Sequence, residues 1–336
     1  MPKPSTKLAE SLEVLKGLQR RGLIAIRSAD ITRTHRERLV RNGFLQPVMK
    51  GWYIPARPDE TAGESTGWYA SFWNFCASYL TSRFGKKWSL SPEQSLLLHA
   101  GNRRVPDQLL IRASQSRNKV TELLYGTSLL EVRANLPAEK DTDIQGALRL
   151  FSLPAALVAS SPNFYRQYAT DARTVLTMIR DASEVLDPLL EGGHSTVAGR
   201  LVGAFRNIGR GRIADNIIKT MQAAGYAVRE NDPFEAESPV IFTNKERSPY
   251  VNRMHLMWKE MREAVIEAFP PPPGLPKDAK AYLKTVNDAY VMDAYHSLSI
   301  EGYRVSPDLI EKVRQGTWNP DTNAADRGQR DALAAR

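Results

Sequence analysis

Arg33, Thr34, Arg36, Arg38 and Arg41 fall along a predicted helix from Thr34 to Asn42, and Lys50 and Trp52 follow in a predicted hairpin. Guanidinium groups make bidentate bonds to guanine edges or to phosphates, and a lysine adds a point charge. Arg33 and Arg36 lie near the helix end that would enter a major groove, and Lys50 and Trp52 on the turn that would follow the phosphates. The competing reading is a solvated charged face, paired to Glu37 and Asp30. The residues alone leave both open, because small helix-and-hairpin modules also bind proteins.

The charge balance says where such chemistry is concentrated. The chain has 336 residues, 46 Lys and Arg, 37 Asp and Glu, and a formal charge of +9. Residues 1–60 hold 12 of the basic and 6 of the acidic groups, so most of the excess lies there, whereas residues 270–336 are neutral. Other signatures are absent. The single cysteine, Cys76, excludes an internal disulfide and a Cys-x-x-Cys site and reads as a small buried residue. No phosphate-binding Gly-x-x-x-x-Gly-Lys loop, His-Glu-x-x-His or Gly-x-Ser-x-Gly occurs. Asp107 with Glu131 is a weak nuclease-like carboxylate spacing, and Arg200, Arg206, Arg210 and Arg212 read as a solvated helix face. No signal peptide or run of 18 apolar residues is present, so the expected location is cytoplasmic, with no membrane partner.

These residues need elements to hold them. Leu8, Leu12, Leu15 and Leu18 predict an amphipathic first helix, Ser28–Ile31 a short second one, and Thr34 to Gly43 a third. Phe44 to Pro55 then predicts two strands around Lys50-Gly51, so residues 1–58 have the order of a winged helix-turn-helix. Residues 68–150 read as a small mixed α/β region, with helices from Trp68 and Pro92 and strands in Gln108–Ala113 and Val120–Arg133. Residues 151–269 read as helical, with helices at Tyr168–Leu190, Thr196–Ile208, Ile213–Ala224 and Pro249–Phe269. Residues 270–277 are a Pro-rich linker, and residues 278–336 hold a long helix followed by one capped at Ser306-Pro307. The expected fold class is therefore mainly α with small β elements.

Gly22-Leu23-Ile24, Leu39 to Leu45 and Val48 to Tyr53 resemble the start of AbiEi-type transcriptional regulators, the antitoxins of type IV abortive-infection systems. The resemblance continues through Leu90 to His99 and Arg149 to Leu157. It implies a winged helix that binds operator DNA and represses its own operon, and it assigns no catalytic residue or cofactor here.

Asp293 to Ser306 resembles the inhibitory helix of Fic proteins, whose pattern Ser/Thr-x-x-x-Glu-Gly/Asn is matched by Ser297, Glu301 and Gly302. The resemblance implies that Glu301 pairs with an arginine of a Fic phosphate-binding loop and takes the place of the ATP γ-phosphate, with Ser297 one turn back. A plain helix end with a glycine stop is the simpler alternative. None of the five histidines lies in the His-Pro-Phe core that Fic catalysis requires, so the chain as given reads as a regulator and not an enzyme. Its expected partners are operator DNA and a Fic catalytic domain, in cis or in trans. The helix-prone, unterminated tail favours the front part of a longer Fic protein, which would be a protein adenylyltransferase. The oligomeric state is left open.

Overall fold

The computed structural model describes residues 4–58, 65–242, 248–271, 274, 277–300, 305–327 and 329. It is a helix-rich α+β protein with three small sheets among the described residues, in two compact units, Met1–Val265 and Ile266–Arg336.

The first unit opens with α1 (Pro4–Arg20), whose Leu15 and Leu18 are buried. Gly22, at φ 75°, lets the Leu23 amide return to the Leu18 carbonyl and stop the helix. After β1 (Ile26–Arg27) comes a correction: the short helix expected at Ser28–Ile31 is a turn. The Asp30 carboxylate accepts the Arg27 amide at 2.9 Å and its guanidinium at 2.8 and 3.1 Å, so side-chain bonds close the turn that helical bonds would have continued. α2 (Arg33–Arg41) follows, with Thr32 and not Thr34 at its N-cap. Then β2 (Leu45–Met49) and β3 (Trp52–Pro55) form the expected hairpin, and β1 adds to β3 in an antiparallel sheet ordered β1-β3-β2. Leu15, Leu18, Ile26, Ile31, Leu39 and Leu45 are the core of this part.

α3 (Thr66–Phe84) turns Trp68, Phe72, Phe75, Cys76 and Leu80 inward. Cys76 is fully buried, and burial pushes its thiol far above the usual range. β4 (Trp88–Leu90) precedes α4 (Pro92–His99), which Ser91 caps by accepting the Gln94 amide at 3.1 Å. β5 (Gln108–Ala113), β6 (Lys119–Glu122) and β7 (Ser128–Arg133) complete a mixed sheet ordered β4-β5-β7-β6, with β5 and β7 parallel from Gln108↔Ser128 to Ala113↔Arg133. β8 (Thr142–Gln145) and β9 (Leu148–Phe151) make a separate hairpin.

The helical remainder of the unit contains α5 (Leu153–Ala159), α6 (Pro162–Gln167), α7 (Ala169–Met178), α8 (Ser183–Glu191), α9 (Ser195–Asn207) and α10 (Gly211–Ala223). The single helix expected over Tyr168–Leu190 is thus two. Ile179 is extended, and the Glu184 carboxylate accepts the amides of Arg180 and Asp181 at 2.7 and 3.0 Å, which caps the start of α8. α11 (Pro249–Ala268) begins in this unit, where Asn252 and Leu256 are buried.

The second unit holds α12 (Ala279–Ile300) and α13 (Pro307–Arg314). Ser306 caps α13 by accepting the Leu309 amide at 3.2 Å, and the Arg314 guanidinium donates to the Asn287 carbonyl at 3.3 Å. Part of the four-proline run, Pro272 and Pro273, lies outside the described residues. No helix among the described residues is long and apolar enough to cross a membrane.

Candidate nucleic-acid interface

Arg36 sits on the first turns of α2, and a relay of two hydrogen bonds ties it to the hairpin tip. Its Nη1 donates to the Ser28 carbonyl at 3.3 Å, the Ser28 amide donates to the Gly51 carbonyl at 2.9 Å, and Gly51 follows Lys50. The Arg36 guanidinium also lies 5.8 Å from the ring centroid of Tyr53 on β3. The Asp30-closed turn therefore joins the start of α2 to the tip of β2–β3. Gly51 fits there because its φ is 80°, and a side chain would point at Ser28 Oγ.

The other expected residues divide by what they already touch. Arg33 is exposed and donates to Glu37 at 2.6 Å, an i,i+4 pair in water that a stronger anion can displace. Thr34, Arg41 and Lys50 are exposed. Arg38 points back to α1, donating to the Lys7 carbonyl at 2.6 Å and to Ser11 Oγ at 2.8 Å. Trp52 is half-buried edge-on to Phe75 and Tyr79 of α3, with centroids 5.9 and 5.6 Å apart. Both Arg38 and Trp52 thus act as internal fasteners, one holding α2 on α1 and the other holding the hairpin on α3.

Ser297 is exposed on α12, whereas Glu301 and Gly302 lie outside the described residues. Tyr282, Leu283, Val286 and Tyr290 of α12 are all between 44% and 57% exposed, so that helix presents apolar side chains to solvent.

The carboxylate pair Asp107 and Glu131 is not a site. Glu131 pairs with Ile111 on β5, three residues beyond the Gln108↔Ser128 end where Asp107 lies, roughly 10 Å along the strand. Glu131 is instead fully buried and faces Arg83 of α3, with Nη2 3.0 Å from its carboxylate. Burial raises its pKa above the usual glutamate value, and Arg83 opposes that shift. A raised folded-state pKa means that its stabilising contribution is complete at low pH and is lost as pH rises through that value. Glu131→Gln, which keeps the shape without the charge, is expected to melt higher than wild type at pH 7, with the gap closing toward pH 4. A lower melting temperature at pH 7 would show that the ion pair outweighs its burial cost. Among the described residues no group of three or more His, Cys, Asp or Glu could hold a metal ion.

Arg206 and Arg212 are exposed, as expected of a solvated face, whereas Arg200 and Arg210 depart from it. Arg206 bridges Asp215 and Glu230, Arg210 donates to the Thr177 and Ile179 carbonyls, and Arg200 is buried. Sequence periodicity carries no signal for this, because the acceptors come from other elements.

No known protein family matches the chain, and no curated protein matches it. Among solved structures, the chain is similar to the RV2827C protein from Mycobacterium tuberculosis, at 15% identity, covering 73% of this chain and 80% of that one, with a TM-score of 0.31. A likeness that low carries no argument about function.

Proposed function

We propose that residues 1–58 are a winged helix that binds operator DNA, and that the protein is a transcriptional regulator of the antitoxin type. In this reading α2 enters the major groove and the β2–β3 turn is the wing on the phosphates. The observation that carries the reading is the convergence of Arg36 with the Lys50-Gly51 tip through Ser28, flanked by exposed Arg33 and Arg41. The order α1, β1, α2, β2, β3 is compatible with a winged helix whose middle helix is shortened to a turn. The charge asymmetry of the chain supports it as well, since a polyanion partner needs concentrated charge. The test is a gel shift on the DNA upstream of its own operon between 50 and 200 mM salt. Affinity is expected to fall steeply as phosphate-bound counterions are released. Absent or salt-insensitive binding would overturn the proposal.

A second reading concerns α12, whose exposed apolar side chains and exposed Ser297 favour docking against another domain. In that reading the helix sits on a Fic catalytic domain and Glu301 keeps ATP out of its reactive pose, with a bidentate carboxylate–guanidinium bond supplying the attraction. The full chain is expected to inhibit AMP transfer by a Fic core that lacks its own inhibitory helix, and Glu301→Gly to remove that inhibition. An unchanged rate with the wild-type chain would overturn this reading.

A further inference from the structure

α9 begins at Ser195, just after Gly192-Gly193-His194, and a cavity of about 450 Å³ opens beside its first turn. Ser195, Thr196 and Arg200 form the helix side of this cavity, and Arg229 and Asn231 the other. The segment carrying Arg229 and Asn231 lies directly against α9 because Gly199 and Gly203 have no side chains. A Cβ at Gly199 would overlap the Arg229 carbonyl, and one at Gly203 the Asn231 carbonyl. The Asn231 amide donates to the Gly199 carbonyl at 3.1 Å and fixes the approach.

Two independent features of this cavity call for an anion. The first is Arg200, which is only 7% exposed. Its Nη2 donates to the Ser160 carbonyl at 2.8 Å and its guanidinium lies 5.6 Å from the Tyr165 ring, while its Nε has no acceptor. Among the described residues no carboxylate pairs with it, and Glu230, which also borders the cavity, is held by Arg206 at 3.0 Å. A buried guanidinium without a counter-charge is costly, and an anion in the adjoining space would relieve that cost. The second feature is the helix start. The Ser195 amide is used by the Gly193 carbonyl and the Ala198 amide by the His194 carbonyl, but those of Thr196 and Val197 meet no acceptor among the described residues. Free amides at a helix N-terminus, with the positive end of its dipole, attract oxyanions.

We propose that this cavity binds a small phosphate monoester. The phosphate lies between the first turn of α9 and Arg200, accepting from the Thr196 amide, the Ser195 and Thr196 hydroxyls and the guanidinium. The cavity exceeds the volume of a phosphate, and its size is within the range of small-ligand pockets. The remainder of the ester therefore lies between Pro162 and Ala227, with exposed Arg229 at the rim.

The test is calorimetric titration of the full chain with ribose 5-phosphate, inorganic phosphate, ribose and acetate. Saturable binding is expected for ribose 5-phosphate, weaker binding for inorganic phosphate, and none for ribose or acetate. Thr196→Glu places a carboxylate at the helix start, where it favours folding and occupies the anion position. It is expected to weaken ribose 5-phosphate binding at least tenfold with the melting temperature kept, and Arg200→Lys to weaken it through loss of the planar fork. No saturable binding, undiminished binding by Thr196→Glu, or equal binding of acetate would overturn the proposal. So would loss of duplex DNA binding in Thr196→Glu, which would assign these groups to a nucleic-acid phosphodiester.

Discussion

The double variant Arg36→Glu/Lys50→Glu is expected to lose at least roughly 100-fold in affinity for the operator duplex at 50 mM salt, with its melting temperature close to that of wild type. The electrostatic losses add: each lost phosphate contact reduces the salt slope by about 1, and the introduced carboxylates add repulsion toward the duplex. Neither side chain is part of the core. Arg36 makes one long bond to the Ser28 carbonyl and lies over the edge of the sheet at Tyr53, and Lys50 is exposed at the turn. Arg38→Ala in the same assay separates charge from fold. Its guanidinium is bonded to Lys7 and Ser11, so its loss should lower the melting temperature and leave the salt slope near wild type. If the double variant bound as tightly as wild type, the charged face would be solvent-facing only and the protein-interaction alternative would stand.

The largest expected loss of stability is from Trp68→Ala, about 3–5 kcal/mol, the usual cost of emptying a fully buried aromatic site. Trp68 is 1% exposed and packs edge-on against Phe72 and Phe75, with centroids 5.5 and 5.4 Å away. Its Nε1 also donates to Thr127 Oγ1 at 3.1 Å, joining α3 to the loop before β7. The consequence reaches the hairpin proposed to bind DNA, because Phe75 and Tyr79 on the same helix support Trp52. Chemical denaturation should therefore show a lowered midpoint, and operator affinity should weaken at temperatures where the wild type still binds fully. An unfolding free energy within about 1 kcal/mol of wild type would mean that the aromatic cluster relaxes into the space.

Local signals in the chain are strong where elements are long and bounded by caps or glycines. Ser91-Pro92 and Ser306-Pro307 start helices as their residue types require, and Gly22, Gly43 and Gly316 follow helix ends at positive φ. The signals fail where a tertiary or side-chain bond replaces a repeated pattern. Asp30 closes a turn where helix propensity suggested a helix, and Glu184 starts a new helix inside an apparently continuous one. β4 escapes pattern reading for another reason: all three of its residues, Trp88, Ser89 and Leu90, are buried, so it lacks the alternation that marks a half-exposed strand.

The sequence by itself determined the helix-rich class, most of the long elements, and the concentration of positive charge in the first 60 residues, because these follow from local periodicity and composition. Only the tertiary structure decided which cations are free. Arg38 and Arg36 look alike two residues apart, yet one is tied to a carbonyl 31 residues away while the other stays beside the hairpin tip. Arg200 looks like any arginine on a helix, and becomes an anion-seeking group only because Ser160, 40 residues earlier, and the segment after α10 close around it. Charge is a property of the residue, whereas its desolvation and its partners depend on distant parts of the chain brought together by folding.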